Sequence, residues 1–178
     1  MPNTKTLKTK KILFTADQIA RRLVELGKQI SADYKDKQLL AVGIMDNGFM
    51  FASDLVRQIE YPITCTLVQP ETKDIQEGMT STLEIFYSPE VDCHGKDVLV
   101  LEAITQSGVT TEFLMRNFTT RGAASVKLCT LLDKQSERRV LLQPDYFGFL
   151  LDESYVVGYG MGSGNMGRNL PYIASVEQ

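Results

Sequence analysis

The chain has 178 residues, a formal charge of −3, 43% hydrophobic and 23% charged residues, proportions expected of a soluble globular protein of about one domain with a full core. Its slight acidity argues against a general nucleic-acid binder, which needs a basic field to meet phosphates. Cys65, Cys93 and Cys129 show neither disulfide nor zinc spacing and no apolar run approaches membrane-spanning length, so the expectation is a reduced, cytoplasmic chain without nucleic-acid or membrane partners.

In chain order, residues 1 to about 11 are polar and lysine-rich and are expected to fray. Thr15 and Gln18 form a capping box, and Ile19, Leu23, Leu26 and Ile30 recur at helical spacing, which predicts an amphipathic helix from Thr15 to about Tyr34 with Arg21, Arg22, Glu25 and Lys28 on a solvated face. Leu39 to Ile44 is a continuous apolar run, expected to be a strand covered on both faces. Met45-Asp46-Asn47-Gly48 ends it, Phe49 to Ile59 has a helical period, and Ile63 to Val68 returns to a strand. Gln69 to Ser81, with Pro70 and Gly78, is predicted to be an exposed mobile loop. Thr82 to Tyr87 alternates as a strand.

The chain is organised around Val98 to Thr111. An apolar run enters Glu102, a small-residue turn follows at Ser107-Gly108, and an amphipathic stretch begins at Val109, so the order is strand, loop, helix. Free N–H groups and hydroxyls from Ser107 to Thr111 at a helix start can cradle a phosphate, with Gly108 letting the backbone approach the anion; the same turn also reads as a plain helix cap. Further strands are expected at Ser125 to Leu132, Phe147 to Leu151 and Tyr155 to Tyr159. This alternation predicts an α/β fold with a mostly parallel central sheet flanked by helices, and ligands at the carboxyl ends of its strands. Asp133 and Lys134 read as a strand-end pair, and His94 as a surface residue before a turn.

From Glu102 to Thr110 the sequence resembles the loop of the hypoxanthine–guanine phosphoribosyltransferases, Glu-Asp-Ile-Ile-Asp-Thr-Gly-x-Thr. The likeness runs from about Ile12 to Val176 and includes Gly95 to Leu99, Val126 to Lys134, Pro144 to Phe149, Val156 to Tyr159 and Arg168 to Ile173. It implies the type I phosphoribosyltransferase fold as a single domain over residues 1–178, with a small hood from the N- and C-terminal parts. It also implies transfer of a purine base to phosphoribosyl pyrophosphate, a Mg2+ requirement, and a homodimer or tetramer.

What the resemblance implies for single residues is uneven. The 5′-phosphate loop is kept at Ser107, Gly108, Val109, Thr110 and Thr111. Of the family's Glu-Asp pair, which holds the ribose hydroxyls and supports the metal, Glu102 remains beside Ala103, so Glu102 is at most a weak metal ligand. Gln106 stands where the family has its acid/base Asp, and an amide cannot take a proton at useful pH. The pyrophosphate loop reads Met45-Asp46-Asn47 in place of Leu-Lys-Gly, exchanging a cation for an anion. The mobile Ser-Tyr maps near Gln69-Pro70. Purine recognition falls to Gln143, in place of a lysine, to Tyr155 by stacking and to Val156 by its backbone. Gly162 replaces an acid, while the pyrophosphate-reaching Arg168 is kept. Tyr155 reads equally as a core aromatic, and Arg168 as half of a salt bridge.

Two function classes follow. One is a catalytically impaired homologue that binds a purine nucleotide or phosphoribosyl ligand in a binding or regulatory role. The other is an active purine salvage enzyme making the hypoxanthine or guanine nucleotide. The departures at Ala103, Gln106, Asp46 and Gly162 favour the first.

Overall fold

The computed structural model describes residues 9–45, 47–77, 80–88, 90–152, 155–162 and 166–176. Its elements are β1 (Thr9–Phe14), α1 (Ala16–Asp33), β2 (Leu39–Ile44), α2 (Phe49–Val56), β3 (Thr64–Glu77), β4 (Thr80–Ser88), β5 (Asp97–Thr105), α3 (Val109–Thr120), β6 (Ser125–Asp133), β7 (Tyr146–Leu150), β8 (Val156–Val157) and β9 (Ile173–Val176). A six-stranded sheet has the order β4-β3-β2-β5-β6-β7. Its pairs are parallel except β3 with β4. The second sheet has three strands in the order β1-β9-β8, both pairs antiparallel.

Local sequence explains the main layers. The Thr15 hydroxyl accepts from Gln18 N at 3.3 Å and Gln18 Oε1 accepts from Thr15 N at 2.9 Å, so the capping box starts α1. Ile19, Leu23, Leu26 and Ile30 are buried against Leu99, Leu101 and Ala103 of β5, together with Phe51, Ala52 and Leu55 of α2. The alternate β5 positions Val98 and Val100 join Leu114 and Phe118 of α3 in a second core. Burial of both faces is why β2 and β5 read as continuous apolar runs.

The α1 polar face is not wholly solvated. Arg22 donates to Phe147 O at 2.7 Å and Gly148 O at 3.1 Å, fastening the helix to β7. The expected loop from Gln69 to Ser81 is also different: β3 runs on to Glu77 and pairs residue by residue with β4. The polar composition conceals this arm because its extended form rests on backbone pairing rather than on an alternating apolar face. The arm expected to fray is ordered from Thr9, where β1 pairs with β9. Phe14 stacks on Phe149 at 4.2 Å between ring centroids and so joins the smaller sheet to the larger one.

Strand order reverses between β2 and β5, since β2 leads through α2 to β3 on one side while β5 leads through α3 to β6 on the other. The carboxyl ends of these two strands therefore bound the crevice in which open α/β sheets bind ligands.

Candidate functional site

Two loops leave that crevice edge, residues 45–48 after β2 and residues 106–108 after β5. They are close: a Cβ on Gly48 would lie 3.7 Å from Ala103 N. Each leads into a helix, so the amino termini of α2 and α3 both end at the crevice, where unpaired N–H groups and the helix dipoles favour an anion.

Gly108 has φ +76° and caps α3 in the left-handed region, which a side chain rarely adopts. Glu112 N donates to Gly108 O at 2.8 Å, so the N–H groups of Val109, Thr110 and Thr111 precede the helix ladder. The neighbour that Gly108 admits is a piece of the protein: an added Cβ would lie 3.0 Å from Val140 Cγ2, 3.1 Å from Leu142 Cδ2 and 3.2 Å from Arg138 Cδ. The glycine is needed for its φ and for this packing. Ser107 Oγ lies 3.5 Å from Val109 N, a long contact that leaves the hydroxyl able to turn outward.

Thr111 is buried, and its hydroxyl donates to Glu102 Oε2 at 2.9 Å. Thr105 Oγ1 donates to the same oxygen at 2.5 Å. Burial raises the Glu102 pKa, against these hydrogen bonds and the charge of Arg138, which lower it. Glu102 thus staples strand, loop and helix from inside. It reaches Thr111 rather than the loop after β2, and only the N–H of Thr111 is left for an anion.

Ala103, at 1% exposure, belongs to the core beside α2. Gln106 is exposed and, with Ser107, Ser136, Arg138 and Arg139, lines a cleft of about 580 Å³. A magnesium ion takes oxygen ligands and commonly uses one or two carboxylates with waters and phosphates. Among the described residues no group of three or more His, Cys, Asp or Glu side chains is placed to hold a metal. Glu102, the acid that sequence places here, already accepts from two hydroxyls. Glu102 could therefore offer a magnesium ion at most its other carboxylate oxygen, with waters and phosphates completing the shell.

The loop after β2 meets the chain near its carboxyl end. Arg168 Nη1 donates to Asn47 Oδ1 and to Gly160 O, each at 2.8 Å. A side chain at Gly162 would collide with the arginine, since its Cβ would lie 2.8 Å from Arg168 Cγ. A Cβ on Gly160 would lie 2.6 Å from Asn47 O. Tyr159 OH donates to Asp54 Oδ2 of α2 at 2.5 Å, and burial together with that carboxylate raises its pKa. Met45 N donates to Val68 O at 2.9 Å, continuing the sheet. Asp46 lies outside the described residues.

The three purine-side residues come from the return segment before β7 and from the stretch that enters β8. Tyr155 is 55% exposed, which is not a core position. Val156 pairs with Ser175 in the smaller sheet. Gln143 sits exposed in the return segment before β7 and lines a neighbouring cleft with Asp133, Arg138 and Leu142, Arg138 being common to both clefts. Asp145 N donates to Leu128 O at 2.9 Å, pinning this segment well before the carboxyl end of β6.

The carboxyl end of β6 adjoins the loop through Asp133, Lys134 and Arg138. Lys134 is 2% exposed, its N–H donates to Thr105 O at 3.0 Å, and its ammonium lies 2.7 Å from Glu137. Asp133 pairs with Arg138, not with Lys134. A lysine ending an apolar strand, and the Arg138-Arg139 pair that begins five residues beyond Asp133, mark this segment in the sequence.

Comparison with known proteins agrees with this geometry. Residues 10–163 match the model of the phosphoribosyl transferase domain. The hypoxanthine-guanine phosphoribosyltransferase of Bacillus subtilis is 33% identical over 168 residues, covering 92% of this chain and 91% of that protein. The hypoxanthine phosphoribosyltransferase of Haemophilus influenzae is 36% identical over 170 residues, covering 93% and 94%. A solved hypoxanthine phosphoribosyltransferase from Staphylococcus aureus superposes with a TM-score of 0.87 at 32% identity, covering 95% of this chain and 92% of that one. With the switch-point crevice, the glycine-capped loop after β5 and the smaller sheet built from both ends, this chain belongs to the phosphoribosyltransferase family, among the hypoxanthine–guanine phosphoribosyltransferases.

Proposed function

We propose that the chain binds a nucleoside monophosphate or phosphoribosyl compound through its 5′-phosphate at Ser107 to Thr111, and that base transfer on this scaffold is slow. The observation that carries the reading is the loop after β5. It presents a left-handed glycine and the amino terminus of α3 at the strand-order reversal, with an exposed amide, Gln106, at its mouth. Backbone N–H groups hold a phosphate without any carboxylate. General acid–base assistance at a purine nitrogen needs a titratable group, which an amide is not, and its loss costs about 10²–10⁴-fold.

In this reading the exposed Tyr155 ring stacks on the base, the Val156 backbone reads its edge, and Arg168, held by Asn47, faces the pyrophosphate side. Gln143 reaches the purine edge from the return segment, whose Val140 and Leu142 pack against Gly108. The purine nucleotide or phosphoribosyl pyrophosphate is the expected ligand. The homodimer or tetramer implied by the family has a candidate apolar face in a groove of about 430 Å³ between α2 and β3, where Phe49, Val56, Cys65 and Leu67 meet. Among the described residues no helix is long and apolar enough to cross a membrane.

An active transferase of ordinary rate is the second reading, favoured by 32–36% identity with named enzymes over more than nine-tenths of the chain. The deciding assay is nucleotide formation from phosphoribosyl pyrophosphate and Mg2+ with hypoxanthine, guanine, xanthine or adenine, comparing the unmodified chain with Gln106→Asp. An aspartate at this exposed position stays solvated, whereas an acid at buried Ala103 would bring a charge into the core, so the single variant is the informative one. The expected result is slow turnover raised about 10²-fold by the substitution. Turnover of about 1 s⁻¹ or more by the unmodified chain would overturn the slow-transfer reading.

A further inference from the structure

The loop after β5 is held in its form by residues 134–139, which line the cleft beside Gln106 and Ser107. The carbonyls of Thr105, Gln106 and Ser107 all accept hydrogen bonds from residues 134–139. Lys134 N donates to Thr105 O at 3.0 Å and Arg139 N to Ser107 O at 3.0 Å. Arg138 supplies the rest. Its Nε donates to Gln106 O at 3.0 Å, its Nη2 to Thr105 O at 3.3 Å, and its Nη1 to Leu142 O at 2.6 Å. Nη2 also donates to Asp133 Oδ1, a nearly buried ion pair with side-chain exposures of 12% and 1%. Asp133 is fixed in turn by Gln135 Nε2, which donates to Oδ2 at 2.9 Å.

The consequence comes from peptide geometry. In a trans peptide the carbonyl of one residue and the N–H of the next point in opposite directions. Three successive carbonyls bound on the side of residues 134–139 turn the N–H groups of Gln106, Ser107 and Gly108 to the opposite side. Successive N–H groups sharing one direction form an anion-binding concavity. The N–H groups of the first turn of α3 follow directly in sequence.

We propose that Arg138 is a positioning residue for the 5′-phosphate: by holding the Thr105 and Gln106 carbonyls against Asp133 and Leu142, it keeps the loop N–H groups turned toward the anion. This rests on the phosphate reading of the loop. Arg138 does not touch the ligand. It is suited to the task because a guanidinium carries five donors in a fixed plane, whereas a lysine ammonium is a point charge.

The test titrates inosine 5′-monophosphate and inosine into the full chain and into Arg138→Gln and Arg138→Lys, with amide hydrogen exchange measured on each chain without ligand. The unmodified chain is expected to prefer the monophosphate. Arg138→Gln should lose about tenfold or more of that preference with inosine affinity unchanged, and exchange should rise at residues 134 and 139, whose N–H groups donate to the loop carbonyls. Arg138→Lys should fall between the two. Unchanged exchange at residues 134 and 139 in Arg138→Gln overturns the proposal, as does equal loss of both ligands with a fall in melting temperature in both variants. An unmodified chain that prefers neither ligand instead overturns the phosphate reading, and the exchange data still decide whether Arg138 holds the loop.

Discussion

At the scale of single residues, Glu102 shows how one carboxylate can serve architecture and electrostatics together. Its Oε2 accepts from Thr105 and Thr111, and its burial raises its pKa above the ordinary 4.5. A carboxyl whose folded-state pKa is raised binds more protons folded than unfolded, so its contribution to stability is present below the ordinary value and is lost as pH rises through the raised one. Glu102→Gln removes that titration and can keep both hydroxyls paired. Thermal melts from pH 4.5 upward should therefore show the unmodified chain losing stability relative to the variant as pH rises. Parallel pH profiles for the two chains would refute this assignment. The resemblance drew attention to Glu102 as a ligand for ribose or metal. Its direction was not legible in the sequence, because the hydroxyl of Thr111 lies nine positions away on the next helix.

At the scale of elements, helix–helix contact is set by small residues where backbones converge. A Cβ on Gly27 of α1 would lie 2.3 Å from Gln58 Cβ and 2.6 Å from Gln58 O. Beside it, Ser31 Oγ donates to Gly27 O at 2.7 Å and accepts from Glu60 N at 3.0 Å, tying α1 to the chain beyond α2. Alanine in an open helix gains about 1 kcal/mol over glycine. Overpacking against backbone costs about 1–3 kcal/mol, and here the obstruction includes a carbonyl that cannot rotate away. Gly27→Ala should lower stability by about 1 kcal/mol in denaturant titration, and a gain would show that the helices can separate freely. The period of α1 was plain in the sequence, yet Gly27 carried no mark there, because only packing of α1 on Gln58 gives it a function.

At the scale of the whole molecule, the crevice is assembled from segments far apart in the chain. Arg168 bridges the turn at Gly160 and the loop after β2, and Tyr159 fastens the same turn to Asp54 of α2. Arg168→Gln should weaken binding of phosphoribosyl pyrophosphate about tenfold, with little change in binding of the free purine base and a melting temperature close to that of the unmodified chain. Equal weakening toward both ligands would mean that the arginine supports the fold and does not read the pyrophosphate side.

The sequence by itself determined the layered α/β plan, the capping box of α1 and the strand, turn and helix around Gly108, because these rest on periodicity and turn chemistry within a few residues. It also carried the family resemblance along nearly the whole chain. Tertiary structure alone decided that the polar stretch after Val68 is a paired strand and that β1 is ordered by β9. It alone placed Lys134 and Arg138 against the loop, with Gln143 in a cleft that Arg138 also lines. Each of these depends on partners distant in the chain, as with Arg138 and Gln106, which are 32 positions apart. Such pairings leave no local period, since the hydrogen bonds that define them join backbone carbonyls whose chemistry is the same in every residue.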